Sequence, residues 1–262
     1  MALPIFNVSD LRGRFLGHVS AWQELVELCE TQRIAYSQAR AHDPELVSGD
    51  DYLPLNHESP DSYARTLNEN IGTGLSVYHR QMFVVVSSLF ETTLRHFWAC
   101  AYFCKPERLN EPLAAAGQTA KIELRDLLAA PDKESLLKKL SIDCARRSSE
   151  GKKSATVERI RKLDRKKEFF TDDLCRKLLR ITEERNIIVH ASHKLPPTAD
   201  DVREAFSVLG DVLTAFQGLA RSLGIPMNEN GYCMLWLDEF FYSDLDNDVP
   251  GPKYSDLPAE PG

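Results

Sequence analysis

The chain of 262 residues has no apolar run near the roughly 18 residues that a bilayer span needs. Its N-terminus, MALPIFNVSDLRGRF, lacks a basic stretch followed by a long apolar one, so neither a membrane partner nor a secretory leader is expected and the expected location is cytoplasmic. Cysteine is scarce. Cys29, Cys100, Cys104, Cys144, Cys175 and Cys233 are scattered too widely for a disulfide framework and read as reduced thiols. With 13 Gly and 14 Pro against 43% hydrophobic and 27% charged residues, the composition excludes collagen-like and disordered classes and leaves a soluble globular one.

Several chemistries lack their signatures as well. There is no G-x-S-x-G and no H-E-x-x-H. Gly151-Lys152-Lys153-Ser154 fails as a phosphate loop, because Arg146 stands where the first Gly belongs and Lys153 where Ser or Thr should follow the Lys. Asp244, Asp246 and Asp248 open like a calcium loop, yet Val249 replaces the turn Gly and Ser255 the final Glu. His96, Cys100 and Cys104 fall in one helical row, but its ends lie roughly 12 Å apart at about 1.5 Å per residue, so only an adjacent pair could share a zinc ion. They read as small buried side chains, and no metal or cofactor is expected. No internal repeat is present.

What the chain does have is an uneven charge. The net is −7, an apparent argument against a nucleic-acid partner, but residues 133–185 hold 17 Lys and Arg against 10 Asp and Glu. That stretch is +7 and the remainder −14. One basic segment sits inside an acidic protein.

The hydrophobic periodicity is helical almost throughout, predicting an all-α fold. Leu11, Phe15, Val19, Trp22, Leu25 and Cys29 step by three and four after a candidate Asp10 cap, which predicts a first helix to about residue 40. Residues 42–62 collect Pro, Gly, Asp and Ser and predict a loop, then a short helix ending before Gly72-Thr73-Gly74. From Leu75 to Cys104 runs the most apolar helix. One stripe is Phe83, Phe90, Leu94, Phe97 and Ala101; a second is Val84, Ser87, Ser88, Glu91, Arg95 and Trp98, so the helix packs on two sides.

Pro106 and Pro112 bracket a turn, and helices are predicted near 113–130, 133–146 and 154–168 with a flexible joint at Ser148–Ser154. Another spans 172–191 and stops before Pro196-Pro197. Thr198 with Asp201 three residues on resembles a capping box and opens the last helix, which runs to Gly224. The tail gathers Tyr232, Trp236, Phe240, Phe241 and Tyr242 before an acidic, Pro-rich stretch, and raises the question whether that acid competes with a polyanion for the basic segment.

In the 172–191 helix the buried stripe is Leu174, Leu178, Ile181 and Ile188. At about 100° per residue Arg185 falls some 40° from Ile181, inside the stripe, whereas Asn186 and His190 point away. An unpaired Arg on an apolar face is costly, so it calls for a carboxylate, a phosphate or a water-filled cleft.

The segment Arg185-Asn186-Ile187-Ile188-Val189-His190 resembles the R-x(4–6)-H motif, with a polar residue after the Arg, of the HEPN superfamily of helical ribonucleases. MFVVVSSLFETTLRHFW, with Glu91, resembles that family's first apolar helix and its buried acid; TADDVREAFSVLGDVLTAF resembles its last helix. The resemblance covers residues 75–223 and implies an up-and-down bundle, with 105–170 as a basic helical insertion. Residues 1–74 form an N-terminal helical extension and 224–262 an aromatic, then acidic tail.

The resemblance further implies a homodimer that brings two motifs into one cleft and cuts RNA without a metal. Family members serve as toxins or antiviral-defence effectors, which implies an antitoxin or regulatory partner. The residue types suit the reaction. Attack by the 2′-hydroxyl needs a base, an acid for the leaving 5′-oxygen and a cation for the charge developing on phosphorus. His190 titrates near neutrality and can be base or acid; Arg185 can grip phosphate in bidentate fashion; Asn186 can orient the imidazole; Glu91 is the candidate acid that positions Arg185. His193 and Lys194 are candidates to line the same cleft, and Arg146, Arg147, Lys152, Lys153, Arg161, Lys162, Arg165, Lys166 and Lys167 to track the RNA backbone.

Plainer readings compete. Arg185 is then a structural ion-pair partner, Glu91 pairs with Arg95 one turn on, 152–167 is a solvated helix face, and His190 is a helix-end residue favoured by the dipole. Under them the chain is a non-catalytic dimerisation, regulatory or RNA-binding module.

Overall fold

The computed structural model describes residues 5–42, 60–108, 128, 130–190 and 197–228, and of 35–42, 60–64, 67, 189 and 190 the backbone alone. Among them are six helices: α1 (Val8–His42), α2 (Pro60–Cys104), α3 (Lys133–Ser149), α4 (Lys153–Leu163), α5 (Asp172–His190) and α6 (Ala199–Ser222). A 3₁₀ turn at Pro106–Arg108 follows α2. The described residues contain no strand, only one isolated parallel bridge between Phe6 and Met227.

α2 is the axis of the molecule. Its C-terminal half is buried from Phe97 to Phe103, and α1, α3, α5 and α6 all pack on it. Such a helix needs apolar faces on more than one side, which is what its two stripes supply. Phe97 joins the layers: its ring meets Phe6 at 5.7 Å, Trp98 at 5.9 Å and Phe216 of α6 at 4.9 Å. Phe6, Val8, Leu11 and Trp22 from the N-terminal region share one core with Cys144, Ala145, Val157 and Ile160 from the basic region.

Ring contacts fix the helix directions. Phe6 lies against His96 and Phe97, whereas Trp22 lies against His79 at 6.3 Å and Phe206 at 5.8 Å, so α1 runs antiparallel to α2. Phe170, just before α5, meets Phe216 at 4.9 Å, and Pro197, after α5, meets His79. α5 therefore also runs antiparallel to α2. The bundle has one end at Phe97, Phe170 and Phe216 and the other at Trp22, His79 and Pro197.

Three expectations about boundaries are corrected. α2 does not begin at Leu75; it runs unbroken from Pro60 through Gly72-Thr73-Gly74. A helical Gly costs only about 1 kcal/mol, which penalises a helix without stopping it. The joint expected at Ser148–Ser154 shrinks to Glu150–Lys152. Ser148 is buried with its Oγ 2.7 Å from Tyr102 Oη, Ser149 donates to the Ala145 carbonyl at 2.8 Å, and the Arg159 guanidinium donates to the Ser148 carbonyl, so α3 is held to its last turn.

α4 stops at Leu163 instead of 168 because Asp164, buried, accepts from the backbone amides of Glu168 (3.1 Å), Phe169 (2.8 Å) and Phe170 (2.7 Å). That wraps the chain into a turn in which Lys167 takes a left-handed φ of 53°. The expected helix near 113–130 lies outside the described residues save Leu128 and Ala130, as do the aromatic and acidic tail residues. The Thr198 capping box is present, with Asp201 N–H donating to Thr198 Oγ1 at 3.2 Å and Thr198 N–H to Asp201 Oδ2 at 2.8 Å. Among the described residues no helix is long and apolar enough to cross a membrane.

Candidate active site

α5 is strongly amphipathic and sets the motif. Leu174, Leu178 and Ile181 are buried and Ile188 packs on the core from its edge, which is the stripe the spacing predicts. Arg185 lies at the margin of that stripe and is half-buried, whereas Asn186 is exposed. The Arg185 Nη1 donates to Asn186 Oδ1 at 3.1 Å; its Nε is enclosed and has no hydrogen-bond partner. No carboxylate pairs with Arg185 among the described residues. A partly desolvated guanidinium with unused donors is a site for an anion. His190 closes α5 one turn beyond Asn186; its side chain, and all of His193 and Lys194, lie outside what is described.

The role expected of Glu91 needs correcting. It is not a buried acid facing Arg185: 30% of its side chain is exposed, and its carboxylate takes a hydrogen-bonded ion pair from Lys153 of α4 at 2.6 Å and a looser one from Arg95 at 4.0 Å. Arg161 near the end of α4 is tied to Asp172 at the start of α5, and Lys153 at the start of α4 reaches α2 at Glu91, while Arg185 lies nearer the Pro197 end.

The basic residues divide in two. Arg146 pairs with Asp143 (3.7 Å), Lys153 with Glu91, Arg161 with Asp172 and Glu158 (3.9 Å), and Lys167 with Asp172 (3.7 Å). Arg147, Lys152, Lys162, Arg165 and Lys166 are exposed and form no ion pair among the described residues. Two of the basic residues are placed along α5, far from the motif. Arg161 and Lys167 meet Asp172 at the start of α5, and His190 lies 18 residues on, about 27 Å at 1.5 Å per residue. The basic segment leads into the motif in sequence, whereas Arg161 and Lys167 lie at the opposite end of α5 from it.

Sequence reasoning missed His79. It is buried on α2, with Nδ1 3.2 Å from the Pro197 carbonyl, so it ties α2 to the chain that follows His190. Burial lowers its pKa, opposed by the Pro197 carbonyl and by Asp201. The signal was available: Leu75, His79 and Phe83 step by four along the apolar row. His96 and Cys100 are fully buried and Cys104 half-buried, and burial pushes both thiols up in pKa.

A cleft of about 300 Å³ between the start of α5 and α6 is lined by Glu168, Phe169, Asp173, Lys177 and Asp211 among others. It lies at the opposite end of α5 from the motif. No family model matches the chain, and neither a curated protein nor a solved structure matches it.

Proposed function

We propose that the protein is a metal-independent endoribonuclease of the HEPN type, acting as a homodimer, with Arg185, Asn186 and His190 as its catalytic residues. The observation that carries this reading is Arg185, a half-buried cation without a carboxylate partner whose enclosed Nε is unsatisfied, one turn from the end of the helix that carries His190. A scissile phosphate supplies the missing anion. One imidazole from each protomer would serve as base for the 2′-hydroxyl and acid for the 5′-oxygen, while Arg185 stabilises the added charge on phosphorus. Helix order agrees with the resemblance: an apolar α2, a motif at the end of α5, and a capped α6.

The test is cleavage of single-stranded RNA by the purified protein in EDTA. Products with 2′,3′-cyclic phosphate ends are expected, and His190→Ala should abolish them without lowering thermal stability. Cleavage that survives this substitution removes His190 from the mechanism. A second reading is favoured by five exposed cations, Arg147, Lys152, Lys162, Arg165 and Lys166, that form no ion pair among the described residues: an RNA-binding or dimerisation module without cleavage, which predicts salt-dependent binding indifferent to His190→Ala.

A further inference from the structure

His79 stands where α1, α2 and the start of α6 meet. It is buried on α2 with the Trp22 ring of α1 at a centroid distance of 6.3 Å, and Trp22 also lies on Phe206 of α6 at 5.8 Å. The Nδ1–H of His79 donates to the Pro197 carbonyl at 3.2 Å. Pro197 immediately precedes the Thr198 capping box, so this bond ties the start of α6 to α2.

An imidazole is a costly choice for such a place. With the proton on Nδ1, Nε2 is an acceptor, and it is enclosed without a partner. His79 continues an apolar row with Leu75 and Phe83, where an apolar side chain would fill the space and leave no nitrogen bare. What the imidazole adds over leucine is the bond to Pro197. One neutral hydrogen bond adds little net stability, whereas an enclosed acceptor without a partner subtracts from it. The residue is better explained by what it holds in place than by the stability it adds.

What it holds is the chain shortly after the motif. α5 ends at His190, and Pro197 comes seven residues later. The last turn of a helix has carbonyls without helical partners and opens readily unless it is tied. Ile188 fastens that turn to the edge of the core, and the bond from His79 fastens the chain beyond it.

We infer that His79 is a positioning residue, which steadies the last turn of α5, and with it His190, by holding the Pro197 carbonyl to α2. Its effect on rate rests on the nuclease reading, whereas the anchor itself does not. His79 is buried, so it acts through the backbone and not on RNA. The His190 imidazole must come within hydrogen-bond reach of the reacting oxygens, and a displacement of about 1 Å can cost about 100-fold in rate.

Two substitutions separate holding from filling. His79→Leu keeps an apolar filling and loses the donor; His79→Asn puts an N–H donor back at the δ position. In cleavage of single-stranded RNA, His79→Leu should lower kcat about 10- to 100-fold with KM within about threefold of wild type and no fall in thermal midpoint. His79→Asn should recover most of that rate. A merely structural role predicts the reverse, a lower midpoint with kcat unchanged in the folded protein. Hydrogen exchange reads the anchor without any activity: the backbone amides of Ile187–His190 should exchange about tenfold faster in His79→Leu than in wild type, and near the wild-type rate in His79→Asn. Wild-type exchange in His79→Leu, or an equal loss of rate in both variants, would overturn the inference. A wild type that leaves RNA intact while exchange follows this pattern would refute the nuclease reading and keep the anchor.

Discussion

His96 is fully buried in α2 against the Phe6 ring, at a centroid distance of 5.1 Å, with no hydrogen-bond partner of good geometry on either nitrogen. Burial pushes its pKa down from 6.5 to about 3; the Ile5 backbone nearby favours the cation without offsetting that, and Arg14 of α1 adds repulsion. The folded state thus refuses a proton that the unfolded chain accepts below pH 6.5. The stabilising contribution is complete above that pH and is lost as pH falls towards 3, at about 1.4 kcal/mol per pH unit. Between pH 7 and pH 4.5 the loss is at most about 3 kcal/mol.

His96→Leu removes the titration and keeps an apolar filling. Urea denaturation of both proteins at pH 7 and pH 4.5 isolates the effect, because the carboxylates that also titrate, Asp201 and Asp173 among them, are common to both and cancel. The wild type should lose about 2–3 kcal/mol more than the variant on acidification. Parallel pH profiles would refute the reasoning, since they would mean that His96 is solvated or protonated in the folded protein.

Gly72→Ala and Gly74→Ala, each in an exposed helical position with nothing within 4 Å of an added Cβ, should stabilise by up to about 1 kcal/mol apiece in thermal melts; destabilisation would restore a break in α2. Gly218→Ala must displace the Phe169 ring and should cost about 1–3 kcal/mol, a loss that Phe169→Ala in the same chain should relieve. Asp164→Ala leaves three amides of the α4–α5 turn without their acceptor and should lower stability by about 2–4 kcal/mol, measured by urea midpoint, far more than removal of an exposed carboxylate such as Glu158.

The all-helical class was legible because apolar residues recur at three and four, and burial enforces that spacing wherever a helix meets the core. α6 shows how far this goes: its capping box and the buried row Val202, Phe206, Leu209, Leu213 and Phe216 follow directly from the spacing. Boundaries set by local exceptions were less legible. Nothing in Gly72-Thr73-Gly74 reveals that 45 residues propagate as one helix, because propensity penalties are small beside the packing of the rest of α2. Asp164 reads as one acid in a basic run until three amides are seen to converge on it. Its role depends on the fold of the turn, which periodicity does not encode.

The candidate site divides along the same line. Placement on the wheel put Arg185 inside the buried stripe and Asn186 outside it; Arg185 is half-buried and Asn186 exposed. Partnerships between helices did not follow: Glu91 was matched to Arg185 by chemistry alone, and in the fold it pairs with Lys153. Sequence adjacency likewise placed the basic segment at the motif, although Arg161 and Lys167 are tied to Asp172, about 27 Å along α5 from His190. If both features serve one RNA, the strand must run the length of α5 or cross to a second copy of the chain. Loss of the unpaired cations should then weaken RNA binding and its salt dependence while leaving the bond-breaking step at Arg185 and His190 unchanged.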